Sequence, residues 1–195
     1  MKTNFLTSLS DKGRFFDTIR SRLGYLVASR TFLKRSDAKD NYAPQSYSGF
    51  VEDAESFLVV MPESSEDFQN ALEFAGSIKK KGKKVILFVK EDKIASLWHK
   101  SYYNYIQAKP EDTTRLELPK RKFAHLLRQE KFDVVIDLNI PENIYCSVAA
   151  NLVNSKYRIG FQKRNSDKFY NLQIINNEIN SALSYRNLLN SLQMF

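Results

Sequence analysis

The stretch Lys131-Phe-Asp-Val-Val-Ile-Asp-Leu-Asn139 limits what this chain can become more than any other. Its apolar residues run together instead of alternating, which is the pattern of a strand covered on both faces in a parallel sheet. A helix-like row follows, Ile144, Val148 and Leu152, with Cys146, Ala149 and Ala150 small enough for close packing on a sheet. Tyr157-Arg-Ile-Gly-Phe161 then reads as a second buried strand. Strand, helix and strand make a right-handed crossover unit, and the rest of the chain can be laid out around it.

Upstream, Ser56 to Met61 is a continuous apolar run stopped by Pro62, and Val85 to Val89 is another. Tyr102 to Ile106 reads as an edge strand and Phe169 to Ile175 as the last strand. Between them, Ser64 to Lys81 has a helical face of Phe68, Ala71, Leu72, Ala75 and Ile78, and Gly82 suits its C-terminus. Lys93 to His99, Lys120 to Glu130, a segment opening at Pro141 and Asn180 to Gln193 are the other expected helices. Alternation of strands and helices predicts an α/β, three-layer, Rossmann-like fold with a mainly parallel sheet. Residues 51–195 are expected to form that domain. Residues 1–50 are expected to form a basic helical appendage and linker.

The charge is uneven along the chain. Residues 1–50 carry nine Lys/Arg against four Asp/Glu, so the appendage holds +5 of the total +8. From Asp11 to Arg35 an apolar stripe of Phe15, Ile19, Leu23, Leu26 and Leu33 lies opposite Arg14, Arg20, Arg22, Arg30, Lys34 and Arg35. Two readings stay open for it. The helix docks its stripe on the domain, or it lies on an anionic membrane surface with its apolar side inserted. Nucleic acid is not an expected partner, because arginines on one helix without a recognition motif or stacking platform make a poor footprint. The only cysteine, Cys146, cannot form an intramolecular disulfide, which favours a reducing compartment. No apolar run approaches the ~20 residues of a membrane span. The expected location is the cytoplasm, peripheral on the inner membrane if the basic helix meets lipid.

In open parallel sheets, ligands bind beyond the carboxyl ends of the strands. The loops to watch are therefore Pro62–Asp67, Lys90–Asp92, Asn139–Asn143 and Gln162–Lys168. The loop after the first strand is acidic and has no glycine, which argues against a dinucleotide site or a phosphate-cradling loop. The two histidines, His99 and His125, and Cys146 have no metal-ligand spacing. No cofactor and no metal are expected. What remains are carboxylates at strand ends. Asp67 is a candidate general base, with helix capping as its structural alternative. Asp133 and Asp137 flank the central strand, and a hydrogen-bonded structural role is the alternative for both.

The central residues Phe132-Asp-Val-Val-Ile-Asp-Leu138 and Ala149-Ala-Asn-Leu-Val-Asn-Ser-Lys-Tyr-Arg-Ile-Gly-Phe161 resemble the N-terminal domain of glycosyltransferase family 9, the heptosyltransferases of lipopolysaccharide core assembly. Tyr185-Arg-Asn-Leu-Leu-Asn-Ser-Leu192 is similar to the helix closing that domain. The resemblance implies one half of a two-domain GT-B architecture, the half that receives the sugar acceptor. It implies a catalytic carboxylate in the turn after the first strand, where Ser64-Ser-Glu-Asp67 is one residue shorter than the family pattern and lacks its glycine. Only Asp67 is carried over, as the catalytic base; Ser64, Ser65, Asp137 and Asn139 are the residues expected to bind the acceptor. The chain ends at Phe195 without a donor domain, which leaves three expectations: a fragment of a split gene, a half-enzyme completed by a donor-domain partner protein, or a domain reused for binding. The competing expectation is a non-catalytic α/β module that docks on a membrane or a protein.

Overall fold

The computed structural model describes residues 20, 22–28, 30–32, 47–97 and 102–194. Six strands form one sheet: β1 (Ser56–Val60), β2 (Lys84–Lys90), β3 (Asn104–Ala108), β4 (Lys131–Asp137), β5 (Asn154–Phe161) and β6 (Leu172–Ile174). Their order is β3-β2-β1-β4-β5-β6, and every neighbouring pair is parallel. This is the Rossmann-like order, so the sheet is parallel throughout where a mainly parallel one was expected. The helices are α1 (Phe50–Asp53), α2 (Ser65–Lys80), α3 (Arg121–Gln129), α4 (Ile144–Leu152) and α5 (Ser181–Leu192).

The continuous apolar strands are explained by two separate cores. Phe57 and Val59 of β1 and Val134 and Ile136 of β4 point to the face covered by α2 and α5. Leu58, Val60 and Val135 point to the opposite face, covered by α3 and α4. Each fully buried Phe, Leu, Ile or Val contributes roughly 1.5–3 kcal/mol of transfer free energy, and both faces require such residues. That is why β1 reads Phe-Leu-Val-Val without a polar break.

Several boundaries differ from the sequence reading. Of the expected helix at Lys93–His99, residues 93–96 belong to a 3-10 segment, Glu91–Ser96, and His99 lies outside the described residues. The third strand begins at Asn104, because Tyr102 and Tyr103 lie beside Lys79 of α2 instead. Helix α4 starts at Ile144, capped by the Asn143 side chain, and not at Pro141. The last strand keeps only Leu172–Ile174, since Phe169 and Tyr170 are buried in the core between sheet and helices. Near residue 50 the chain forms α1. There Tyr47 and Phe50 stack on Tyr157, with ring centroids 5.7 and 4.3 Å apart respectively.

The N-terminal helix is described at residues 20, 22–28 and 30–31. The rest of the expected stripe, Phe15, Ile19 and Leu33, lies outside the described residues. Within them the docking face is not the predicted one. Ala28 is fully buried and Gly24 is buried, whereas Leu23 and Leu26 are about half exposed, at 46% and 54%. A side chain at Gly24 would stand 3.1 Å from the Leu116 carbonyl oxygen. The helix thus meets backbone at close range, and only small residues permit that approach. Tyr25 adds an edge-on ring contact with Phe169 at 6.0 Å. Arg20 ties the helix to the loop after β3, donating to the Arg115 carbonyl at 3.0 Å and pairing with Glu117 at 3.2 Å. Among the described residues no helix is long and apolar enough to cross a membrane.

Candidate functional site

Strands β1 and β4 are neighbours whose connections leave toward opposite faces, α2 toward one and α4 toward the other. A crevice opens where such loops diverge. Two acid–lysine pairs stand at this edge, one sealed and one open.

The sealed pair belongs to Asp137, the last residue of β4, which has no exposed surface. Lys163 Nζ reaches its carboxylate at 3.4 Å and the Asn139 carbonyl at 2.8 Å. The Tyr170 hydroxyl donates a short hydrogen bond to the same carboxylate and lies 2.8 Å from Ser147 Oγ. Asn139 donates from its backbone at 3.0 Å and from its side-chain amide at 2.7 Å. Burial, and after it the charge of Asp137, push the Tyr170 phenol far above its ordinary value, so it stays a donor. Tyr170 reaches Asp137 by crossing Gly160, where a Cβ would stand 2.9 Å from the tyrosine ring. The glycine in Arg-Ile-Gly-Phe is thereby explained by a close approach. Cys146 is also buried here, and burial and then Asp137 raise its thiol, which leaves it a poor nucleophile.

The open pair is Glu63–Lys90. Glu63 follows β1 and Lys90 ends β2, and the two form a short ion pair. Asn143 ties this pair to the start of α4: its Nδ2 donates to Glu63 at 2.6 Å, and its Oδ1 accepts from the Cys146 amide at 3.0 Å. Burial pushes the Glu63 carboxyl up, but Lys90 and the Asn143 amide outweigh it and hold it below the usual carboxylate range. Burial disfavours the Lys90 ammonium, yet its bond to Glu63 raises it overall. Lys90 also lies 5.2 Å from the centre of the Tyr145 ring.

These groups line a cavity of about 520 Å³, whose far wall is Thr113, Glu142 and the Arg20–Glu117 pair. The N-terminal helix therefore supplies a wall, a role the sequence reading did not foresee. Tyr145 is 2% exposed and its hydroxyl has no hydrogen-bond partner. Burial pushes this phenol up, and Thr113, close beside it, opposes that in part. A buried hydroxyl without a partner is unfavourable, so one in a cavity wall calls for an explanation. Glu142 also borders a smaller cavity of about 380 Å³ with Tyr25, Arg164 and Lys168. Burial, and then the Glu142 carboxylate, push the Tyr25 hydroxyl well above its ordinary value.

Three of the four loops singled out by the sequence thus meet at one cavity, through Glu63, Lys90, Glu142 and Asn143, and the fourth borders the smaller one. The residues singled out within those loops fall elsewhere. Ser64 caps α2 by accepting from the Asp67 amide at 3.4 Å. Ser65 Oγ accepts from Lys93 at 3.1 Å. Asp67 is half-buried in the first turn of α2 and is not part of the cavity wall. Asp137 and Asn139 are buried and paired within the protein. Asp133 lies at the opposite end of β4, where it accepts from Ser56 Oγ at 2.7 Å and from the Ser56 and Glu55 amides. Among the described residues no group of His, Cys, Asp and Glu is placed to hold a metal ion.

Fold and site define a Rossmann-like α/β domain with a polar, mixed-charge cavity at the switch point of its sheet. Residues 29–195 match a family described as a family of unknown function (DUF6913), and the chain belongs to that family. Among curated proteins nothing matches the chain. The family description assigns no activity, and the likeness to glycosyltransferase family 9 rests on the residues quoted above alone.

Proposed function

We propose that this domain holds a polyhydroxylated, sugar-like acceptor in the cavity over β1, β2 and β4, as the acceptor-side half of a glycosyltransferase-like system in cell-envelope glycan synthesis. The cavity itself carries the reading. Its volume of about 520 Å³ lies within the ~300–1,000 Å³ of small-molecule sites. Its wall combines carboxylates, an amide, an ammonium and an unpaired phenol, the donors and acceptors that sugar hydroxyls require. A dinucleotide fits it poorly, because the first turn presents Glu63 where a glycine-rich loop would present amides to a pyrophosphate.

In this reading Tyr145 donates to a ligand oxygen, and Glu63 and Asn143 orient ring hydroxyls. Glu63 and Glu117 are each held by a cation, which leaves Glu142 as the wall carboxylate best suited to take a proton from an acceptor hydroxyl. Asp67 is the competing base, taken from the family likeness. The donor sugar comes from a partner protein. Saturation-transfer NMR with hexoses and heptoses against nucleoside diphosphates tests the binding step. The expected result is saturable sugar binding that is weakened in Tyr145→Phe and Glu63→Gln. Nucleotide binding that those variants abolish, or no sugar binding at millimolar concentration, would overturn it. Once a donor-bearing partner is in hand, transfer lost in Glu142→Gln and kept in Asp67→Asn assigns the base, and the reverse restores Asp67.

A second reading, a docking module, is favoured by one observation. The N-terminal helix turns its small residues inward and leaves Leu23 and Val27 outside beside Arg22 and Arg30. Apolar residues flanked by arginines suit an anionic membrane surface. Co-sedimentation with phosphatidylglycerol vesicles, lost in a Leu23→Asp, Val27→Asp variant, is the expected outcome. Equal sedimentation of that variant would sink it.

A further inference from the structure

A second cavity, of about 750 Å³, lies on the helical face between the N-terminal helix, the loop after β3 and helix α3. Its apolar lining includes Phe32, Leu116, Leu118 and Ala124. Among the described residues every ionisable group in its lining is an arginine: Arg30, Arg115, Arg121 and Arg128. All four are exposed, and none of them enters an ion pair among the described residues. The Arg128 guanidinium lies 5.9 Å from the centre of the Phe32 ring, at the margin of the groove. This is the opposite of the cavity at the sheet edge, where each cation has a carboxylate.

We infer that this groove binds a single-chain anionic amphiphile as a monomer, with its hydrocarbon tail along Phe32, Leu116 and Leu118 and its carboxylate or phosphate head among the arginines. Three arguments converge. Four guanidinium groups around one groove repel one another, and an anion relieves that repulsion. Guanidinium forks match carboxylate and phosphate oxygens in bidentate geometry. A groove of about 750 Å³ is of small-molecule size, whereas an amphipathic partner helix needs a groove several turns long. The inference stands apart from the sugar-acceptor reading, since the two cavities are lined by different residues.

Calorimetric titration of the full chain with dodecyl phosphate, below its micelle-forming concentration, tests the proposal. Dodecyl trimethylammonium and dodecyl maltoside serve as head-group controls. Dodecyl phosphate saturates one site, and the two controls do not. Arg121→Glu with Arg128→Glu weakens that binding by about tenfold or more, the loss of a charge-assisted contact. Val27→Trp narrows the groove while leaving the arginines in place, and it also weakens binding, so the test survives if the charge-reversed variant fails to fold. Equal binding of the cationic amphiphile would overturn the proposal, as would unchanged affinity in both variants. Binding to phosphatidylglycerol vesicles alone, without monomer saturation, would also overturn it and would favour the interfacial helix.

Discussion

Two acid–lysine pairs sit at the same edge of one sheet, and they differ in what surrounds them. Asp137–Lys163 has side chains 0% and 8% exposed, and Tyr170, Asn139 and Ser147 complete its hydrogen bonds. Glu63–Lys90 has side chains 46% and 31% exposed and borders a cavity. The same residue types therefore do different work. The buried carboxylate fixes the ends of β4 and β5 relative to each other. The open one is a surface on which a ligand can act. A buried charge keeps its place only when every partner is present, whereas an exposed pair contributes little to stability and is free to exchange partners.

The largest effect comes from breaking the sealed pair. Asp137→Ala leaves Lys163 and Tyr170 without their shared acceptor, and it should cost about 3–5 kcal/mol in denaturant unfolding. A loss below about 1 kcal/mol would mean that the sealed pair behaves like the open one. Next, Gly160→Ala drives a methyl group into the Tyr170 ring and should cost about 1–3 kcal/mol by overpacking. A crystal structure of that variant should show the Tyr170 hydroxyl drawn off Asp137. An unmoved tyrosine would remove the proposed reason for the glycine.

Smaller effects belong to the exposed acids. The Ser56 hydroxyl, against the opposing effect of burial and with the Ser56 and Glu55 amides, holds the Asp133 carboxyl below its ordinary value. A group whose folded pKa is depressed contributes stability above its unfolded value, near pH ~4, and loses it as pH falls through the folded value. Wild-type unfolding free energy should therefore decline below about pH 4 more steeply than that of Asp133→Asn. Parallel curves would exclude Asp133 as a contributor. Last, Glu63→Gln and Tyr145→Phe should each change stability by less than about 1 kcal/mol while weakening ligand binding. Tyr145→Phe should be neutral or slightly stabilising, because it removes a buried hydroxyl that has no partner. A marked loss of stability would show that the hydroxyl is satisfied within the fold.

Most of the fold was legible because apolar patterning is local. The runs in β1, β2 and β4 announced strands covered on both faces, and the i, i+4 rows of α2 and α4 announced helices. The loops that gather at the site were legible too, since parallel connections bring strand ends to one edge. Their chemistry was less so. Sequence reasoning favoured Ser64, Ser65, Asp67, Asp137 and Asn139 by position and family likeness. Whether a strand-end carboxylate faces solvent or a tyrosine depends on residues 26 and 33 positions further on, Lys163 and Tyr170. Tyr145 drew no notice in the sequence, and only the absence of a partner for its hydroxyl marks it out.

The N-terminal helix shows the same division. Its periodicity announced a helix, but among the described residues Leu23 and Leu26 of its apolar stripe are not on the face that docks. The Leu116 carbonyl rises against the helix, and close approach selects Gly24 and Ala28 over Leu23 and Leu26. By itself, then, the sequence determined the parallel α/β sheet, its two covered faces and the edge where the connecting loops gather, because burial is written in the spacing of apolar residues. Tertiary structure alone decided which acid is sealed and which is open, and which side of the basic helix meets the domain. Those outcomes turn on contacts between residues far apart in the chain, and on steric fit that no local pattern records.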